Sequence, residues 1–283
     1  MAARTGNVAT PSLLAAALAN AVADPAHVTF PADDGRTTLE AYLFAPTQPR
    51  PAMPAVVMMH GSGGVYSSAA KGNFNASTLS ARHLAWGKLW AERGYLALLV
   101  DGFTPRGFPA GFGFRSYGAR PPEVDEVESR PRDAHAAARY LRGRTDVAPD
   151  RIGLIGWSNG GSAALVALAS DTPGLANPTP QTGFRAALAL YPGCWLKRRY
   201  AEGYRCYAPV RVFAGAADTV VKCEHCVRLV EMGRAAGADI ELTTYDGAGH
   251  GFDDPKRPSG ANGRASAEAV PAAIAFFARE LGG

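Results

Sequence analysis

Three polar residues fall where an acyl-transfer reaction would need them. Ser158 is the centre of Gly156-Trp157-Ser158-Asn159-Gly160, a G-x-S-x-G pattern. In a nucleophile elbow, that pattern lifts a serine hydroxyl above the edge of a sheet. A serine hydroxyl is a weak nucleophile and needs a base. The chain offers His27, His60, His83, His135, His225 and His250. If the order along the chain is nucleophile, acid, base, only His225 and His250 follow Ser158. His225 comes too soon after the apolar run at 210–214 to leave room for an acid and another strand. His250 lies in the glycine-flanked "DGAGHGFDD", after the last strand-like run, and is the expected base.

The acid is expected at Asp218, which closes "VRVFAGAAD" at the carboxyl end of a strand-like run. Its task would be to hold one imidazole tautomer and stabilise the imidazolium. It could cap the following helix as well. Asp239 precedes a strand-like run, and Asp246 and Asp253 share the base's own loop. Acyl transfer also needs donors for an oxyanion. The backbone N–H of Asn159 is one. The second is expected from "HGSGG" (60–64), at Ser62, with Gly61 and Gly63 as alternatives. His60 reads as a residue that hydrogen-bonds this loop.

Short β-like runs alternate with helix-like runs around these residues. Strands are expected at 38–46 (exposed), 55–61, 95–102, 151–156, 185–193, 210–218 and 240–247. Helices are expected at 77–94, 131–144, 160–170, about 224–236 and about 267–281. This is the pattern of one doubly wound α/β domain over residues 25–283, with a mostly parallel sheet. Catalytic groups in such sheets gather beyond the carboxyl ends of the strands. Ser158, Asp218 and His250 all do so in this reading. Two segments break the rhythm: 62–76, rich in Gly, Ser and Asn, and 103–130, rich in aromatics, Pro and Gly. A loop as long as the second usually forms a lid or pocket wall. Phe103, Phe112 and Phe114, with Trp157 beside the nucleophile, are the expected lining.

Composition narrows the partners. The 283 residues are 47% hydrophobic and 19% charged, with net charge +4. The basic residues are dispersed, which argues against nucleic acid. No apolar run is long enough for a membrane span. Arg4 precedes an apolar stretch, Leu13 to Val22, and Ala21-Val22-Ala23 reads as a cleavage site. A signal peptide or leader over residues 1–24 is therefore expected, placing the protein outside the cytoplasm, secreted or periplasmic. The alternative is a starting helix in a cytoplasmic protein. Cys194, Cys206, Cys223 and Cys226 cluster in one window, which suits disulfides better than a metal site. Cys194–Cys226 is favoured, since both residues follow strands at the carboxyl edge. That leaves Cys206–Cys223, and Cys194–Cys206 is the competing pairing. No metal is expected.

"HGSGG", "VDGFTPRG", "PRDAHAAARYLR", "RIGLIGWSNGG", "GAADTVV" and "GAGHGFD" together resemble the dienelactone hydrolase family of α/β hydrolases over about residues 35–281. The resemblance implies an eight-stranded sheet without a large separate cap, and it implies Ser158, Asp218 and His250 as a triad. An acyl-enzyme route through these residues requires no cofactor. The enzymes that name the family carry cysteine as nucleophile, and this chain has serine. That departure points to the carboxylesterase branch, with a small-molecule ester as substrate and a lactone as the alternative. A peptidase, an acyltransferase and a non-catalytic binding protein of the same fold are the remaining readings. Asp101 and Arg106 match a recurrent family segment, where they orient the loop or touch substrate.

Overall fold

A computed structural model describes residues 12–20, 23–113 and 116–282. Eight strands form one sheet: β1 (Ala26–Pro31), β2 (Thr38–Phe44), β3 (Met53–Met59), β4 (Leu96–Asp101), β5 (Val147–Trp157), β6 (Ala186–Leu190), β7 (Val210–Gly215) and β8 (Ile240–Tyr245). Their spatial order is β1-β2-β4-β3-β5-β6-β7-β8. β2 runs antiparallel to both β1 and β4, and β4 through β8 are parallel. This is the α/β-hydrolase fold.

Helices cover both faces, as a mainly parallel sheet requires. They are α1 (Leu13–Ala19), α2 (Ala81–Glu92), α3 (Ser129–Arg142), α4 (Asn159–Ala167), α5 (Cys223–Ala235) and α6 (Gly260–Leu281). The continuous apolar run of β3 is buried throughout and divides its side chains between two cores. Ala55, Val57 and Met59 face the layer of α3, α4 and α5. Val56 and Met58 face the layer of α2 and α6, on which Leu14 and Ala17 of α1 also pack. Residue alternation in a strand makes one sequence serve both cores.

Two expectations need correction, and one strand, β1, is absent from them. The strand at 38–46 is buried along most of its length, because β1 pairs along its outer edge and Tyr42 and Phe44 enter the α2–α6 core. β1 itself has no apolar signature; only Phe30 in it is buried. The second disulfide is not formed. Cys194 and Cys226 are bonded, whereas Cys206 and Cys223 are free. The reason is the sheet's polarity: Cys206 precedes β7, with Sγ against the Asp239 carbonyl, while Cys223 follows β7 at the opposite edge. Of the expected leader, α1 is capped by Ser12 and held by Lys88 Nζ on the Asn20 carbonyl at 2.9 Å. Residues 1–11, 21 and 22 lie outside the described residues.

Candidate active site

Ser158 is the hinge between β5 and α4. Its backbone has φ 52° and ψ −115°, a conformation that L-residues rarely adopt and that the surrounding structure must enforce. The enforcement comes from Gly156 and Gly160. A Cβ on Gly156 would lie 2.1 Å from the Gly160 carbonyl oxygen, and one on Gly160 would lie 2.0 Å from that of Met59. Only glycine permits this close passage of β5, α4 and the end of β3.

The loop after β7 carries Asp218, whose side chain is buried. Its Oδ1 accepts the N–H groups of Val220 (2.8 Å) and Val221 (3.0 Å). Its Oδ2 lies 2.7 Å from His250 Nδ1. A carboxylate can only accept, so His250 carries its proton on Nδ1. His250 Nε2 is then free to accept from Ser158 Oγ, 2.9 Å away. A bond from Ala217 N–H to the Ala248 carbonyl (2.9 Å) ties the loop of Asp218 to the loop of His250. The structure thus brings together Ser158, Asp218 and His250, from the ends of β5, β7 and β8.

Ser62 and Asn159 flank the serine. Gly61 is close enough that a Cβ on it would lie 3.5 Å from Ser158 Cβ. The Ser62 carbonyl is held by Phe112 N–H at 2.7 Å, so the long loop braces the Gly61–Ser62 turn. His60 is fully buried, with Nδ1–H donating to the Gly61 carbonyl at 2.7 Å. Burial, with Arg130 nearby, holds its pKa well below the ordinary histidine value.

A cavity of about 740 Å³ opens on Ser158 and His250. Tyr66, Phe74, Phe112, Trp157 and Tyr191 supply aromatic wall, and Lys71, Arg82 and Arg257 supply positive charge. Of the expected lining, Phe112 and Trp157 are there. Phe103 is not: it is buried edge-on against His60, with ring centres 4.4 Å apart. Of the two roles expected for Arg106, the structure shows loop orientation, and the residue does not line the cavity. Asp133 engages it at 2.7 and 2.9 Å, and the Gly102 carbonyl at 2.7 Å, which fixes the loop from beneath. Phe114 lies outside the described residues.

Several site residues escape the sequence reading. Asp253 has no solvent exposure. Its Oδ1 accepts from Tyr191 Oη (2.6 Å) and Arg82 Nε (2.9 Å), and its Oδ2 from the indoles of Trp86 and Trp157 (both 2.8 Å). Tyr191 also sets its ring edge-on to His250, at 4.8 Å. The only sequence signal for Arg82 is a cation within a helix-like run that is otherwise apolar on that side. Among the described residues, no group of three or more His, Cys, Asp or Glu could hold a metal ion. No described helix is long and apolar enough to cross a membrane.

The sequence model of the Dienelactone hydrolase family matches residues 39–281. The chain belongs to this family. Among the family-fold structures it resembles is a Klebsiella pneumoniae subsp. pneumoniae protein named as a dienelactone hydrolase. That likeness has a TM-score of 0.69 and 18% identity, covering 92% of this chain and 99% of the other. Another is Thermogutta terrifontis esterase 2 phosphorylated by paraoxon, with a TM-score of 0.65 and 22% identity, covering 91% and 95%. In sequence, the chain is 34% identical over 155 residues to the uncharacterized protein Rv2307c of Mycobacterium tuberculosis, covering 51% of this chain and 53% of that protein. The chain spans about half the length of the curated relatives it matches.

Proposed function

We propose that this member of the dienelactone hydrolase family is a serine hydrolase that cleaves carboxylic esters through an acyl-enzyme on Ser158. The observation that carries the reading is the continuous hydrogen-bonded chain Asp218–His250–Ser158, with links of 2.7 and 2.9 Å, facing an aromatic cavity. His250 Nε2 takes the Ser158 proton as Oγ attacks the ester carbonyl. The oxyanion is received by the amides of Asn159 and Ser62. His250 then protonates the departing alcohol. Water, deprotonated by the same nitrogen, attacks the acyl group and releases the acid and Ser158. Asp218 holds the tautomer and stabilises the imidazolium throughout.

A serine nucleophile supports open-chain esters over the lactones that name the family. Lys71 and Arg257 at the cavity add an attraction for substrates bearing negative charge. The test is turnover of p-nitrophenyl esters of graded acyl length, with a lactone and a carboxylate-bearing ester in the panel. Ser158→Ala should lower kcat by about 10⁴-fold or more. A fluorophosphonate, or the paraoxon that phosphorylates the Thermogutta esterase, should label wild type and not Ser158→Ala. Equal turnover by wild type and Ser158→Ala would refute the reading. The Cys194–Cys226 bond supports a secreted or periplasmic setting. Alkylation of both cysteines without reductant would remove that support.

A further inference from the structure

A second cluster of buried polar groups lies behind the Asn159–Ser62 side of the nucleophile. Arg130, in the first turn of α3, is 1% exposed. One amino group of its guanidinium, Nη2, donates to the His60 carbonyl at 2.7 Å. The other, Nη1, donates to Asn159 Oδ1. Asn159 Nδ2 in turn donates to Glu126 Oε2 at 3.0 Å, and Glu126 is also buried. The Asn159 amide is thus held at both ends, which fixes its orientation. The Arg130 guanidinium packs over the Phe103 ring at 5.0 Å. Burial lowers its pKa to about 10, while Asp133 and Glu126 oppose the fall, so it stays charged at neutral pH.

The two groups that Arg130 grips belong to the two segments that supply the oxyanion donors. His60 is the last residue before the Gly61–Ser62 turn, and Asn159 directly follows Ser158. We propose that Arg130, assisted by Glu126, is a positioning residue that sets the spacing of the Ser62 and Asn159 amides. The inference rests on the serine-hydrolase reading above. Neither side chain touches the reacting atoms; Arg130 acts through the His60 carbonyl and the Asn159 side chain, and Glu126 through the Asn159 side chain. Oxyanion donors are effective only when fixed at the place where charge develops. A loosened pair would therefore bind the ground-state ester as before and stabilise the tetrahedral state less. Glu126 closes the long loop of 103–128, so the same contact fastens the pocket wall to the nucleophile.

The test uses the full chain, with kcat and KM on a p-nitrophenyl ester and circular dichroism to confirm folding. Arg130→Met should lower kcat about 10- to 100-fold with KM within about twofold, and Arg130→Lys should recover part of the loss. Arg130→Met removes a buried charge that offsets Glu126 and can fail to fold. Asn159→Ala keeps the backbone N–H, removes only the gripped side chain and leaves both charged groups in place. It should lower kcat in the same direction, again with KM unchanged. Wild-type kcat in Asn159→Ala, or losses carried by KM, overturns the inference. Ser158→Ala separates the two readings. If wild type does not exceed it, the hydrolase reading fails and takes this inference with it. If wild type far exceeds it and Asn159→Ala matches wild type, only the positioning role fails.

Discussion

On the histidine side of Ser158, the Asp253 carboxylate is met by four donors, two on each oxygen. On the oxyanion side, Arg130 and Glu126 are equally buried, yet Arg130 Nε and Glu126 Oε1 have no hydrogen-bond partner among the described residues. Both sites place charge in a low-dielectric interior, where an unmet polar group is expensive and a met one is strong. The contrast teaches how each is used. Asp253 joins α2, β5, the turn after β6 and the His250 loop through one saturated group, so it works as a rigid knot. The Arg130 cluster is under-satisfied, so its contribution to stability should be smaller, and its grip on His60 and Asn159 suits it to positioning.

Breaking the knot should have the largest effect. Asp253→Ala leaves the Trp86, Trp157 and Tyr191 donors buried without an acceptor, and leaves the Arg82 guanidinium without its counter-charge. A loss of about 3–5 kcal/mol is expected in urea unfolding. Activity should fall too, since Tyr191 and Gly251, which Arg82 holds through its carbonyl at 3.2 Å, both frame His250. Asp253→Asn keeps the shape but turns a donor toward donors, so it should lie between Ala and wild type. A loss under about 1 kcal/mol for Asp253→Ala would show that the four bonds are not a knot.

The oxyanion side should respond differently. Arg130→Met alone should cost about 2–3 kcal/mol, because it leaves the buried His60 carbonyl and Asn159 Oδ1 without their donor and removes the positive charge that offsets Glu126. Combining it with Glu126→Leu and Asn159→Ala removes the bridged charges together with the amide between them and should return stability to within about 1 kcal/mol of wild type, since apolar side chains can replace a buried charged network. The triple variant should nonetheless keep the low kcat of the single one. Recovery of both quantities together would erase the distinction between the two sides.

How much of this is legible without coordinates depends on range. Ser158, Asp218 and His250 are legible because each follows a strand-like run, and a parallel sheet sends the ends of such runs to one edge. Gly156 and Gly160 are legible because the elbow needs them two residues either side. β1 is missed because an edge strand that buries only Phe30 carries no apolar pattern. Phe103 is misplaced because composition marks its loop as a pocket wall without saying which residues turn inward. Phe112 faces the cavity, while Phe103 turns back onto His60 and Arg106 onto Asp133. Asp253 looks like a spare carboxylate beside His250, since its partners come from residues 82, 86, 157 and 191. No local pattern encodes a contact assembled from four distant segments.

The smallest effect comes from two buried histidines, one on each side. His83 faces the Asp253 side, its Nδ1–H donating to the Val65 carbonyl at 3.1 Å, and His60 faces Arg130. Burial lowers the His83 pKa to about 4, from 6.5. The unfolded chain then takes up a proton near pH 6.5 that the native state refuses until about pH 4. Native stability from this group is complete above about pH 6.5 and is lost as pH falls toward 4, by about 1 kcal/mol between pH 7 and 5.5. His83→Gln can still donate to the Val65 carbonyl and cannot titrate. It should therefore flatten the pH dependence of urea unfolding by that amount, with His60 and His135 contributing equally to both proteins. An unchanged slope would mean that His83 takes up a proton in the native state, with the Asp253 knot on its side supplying enough negative potential to stabilise it. The Asp253 side would then carry spare acceptor capacity, and the contrast with the Arg130 side would have to be redrawn as one of charge sign alone.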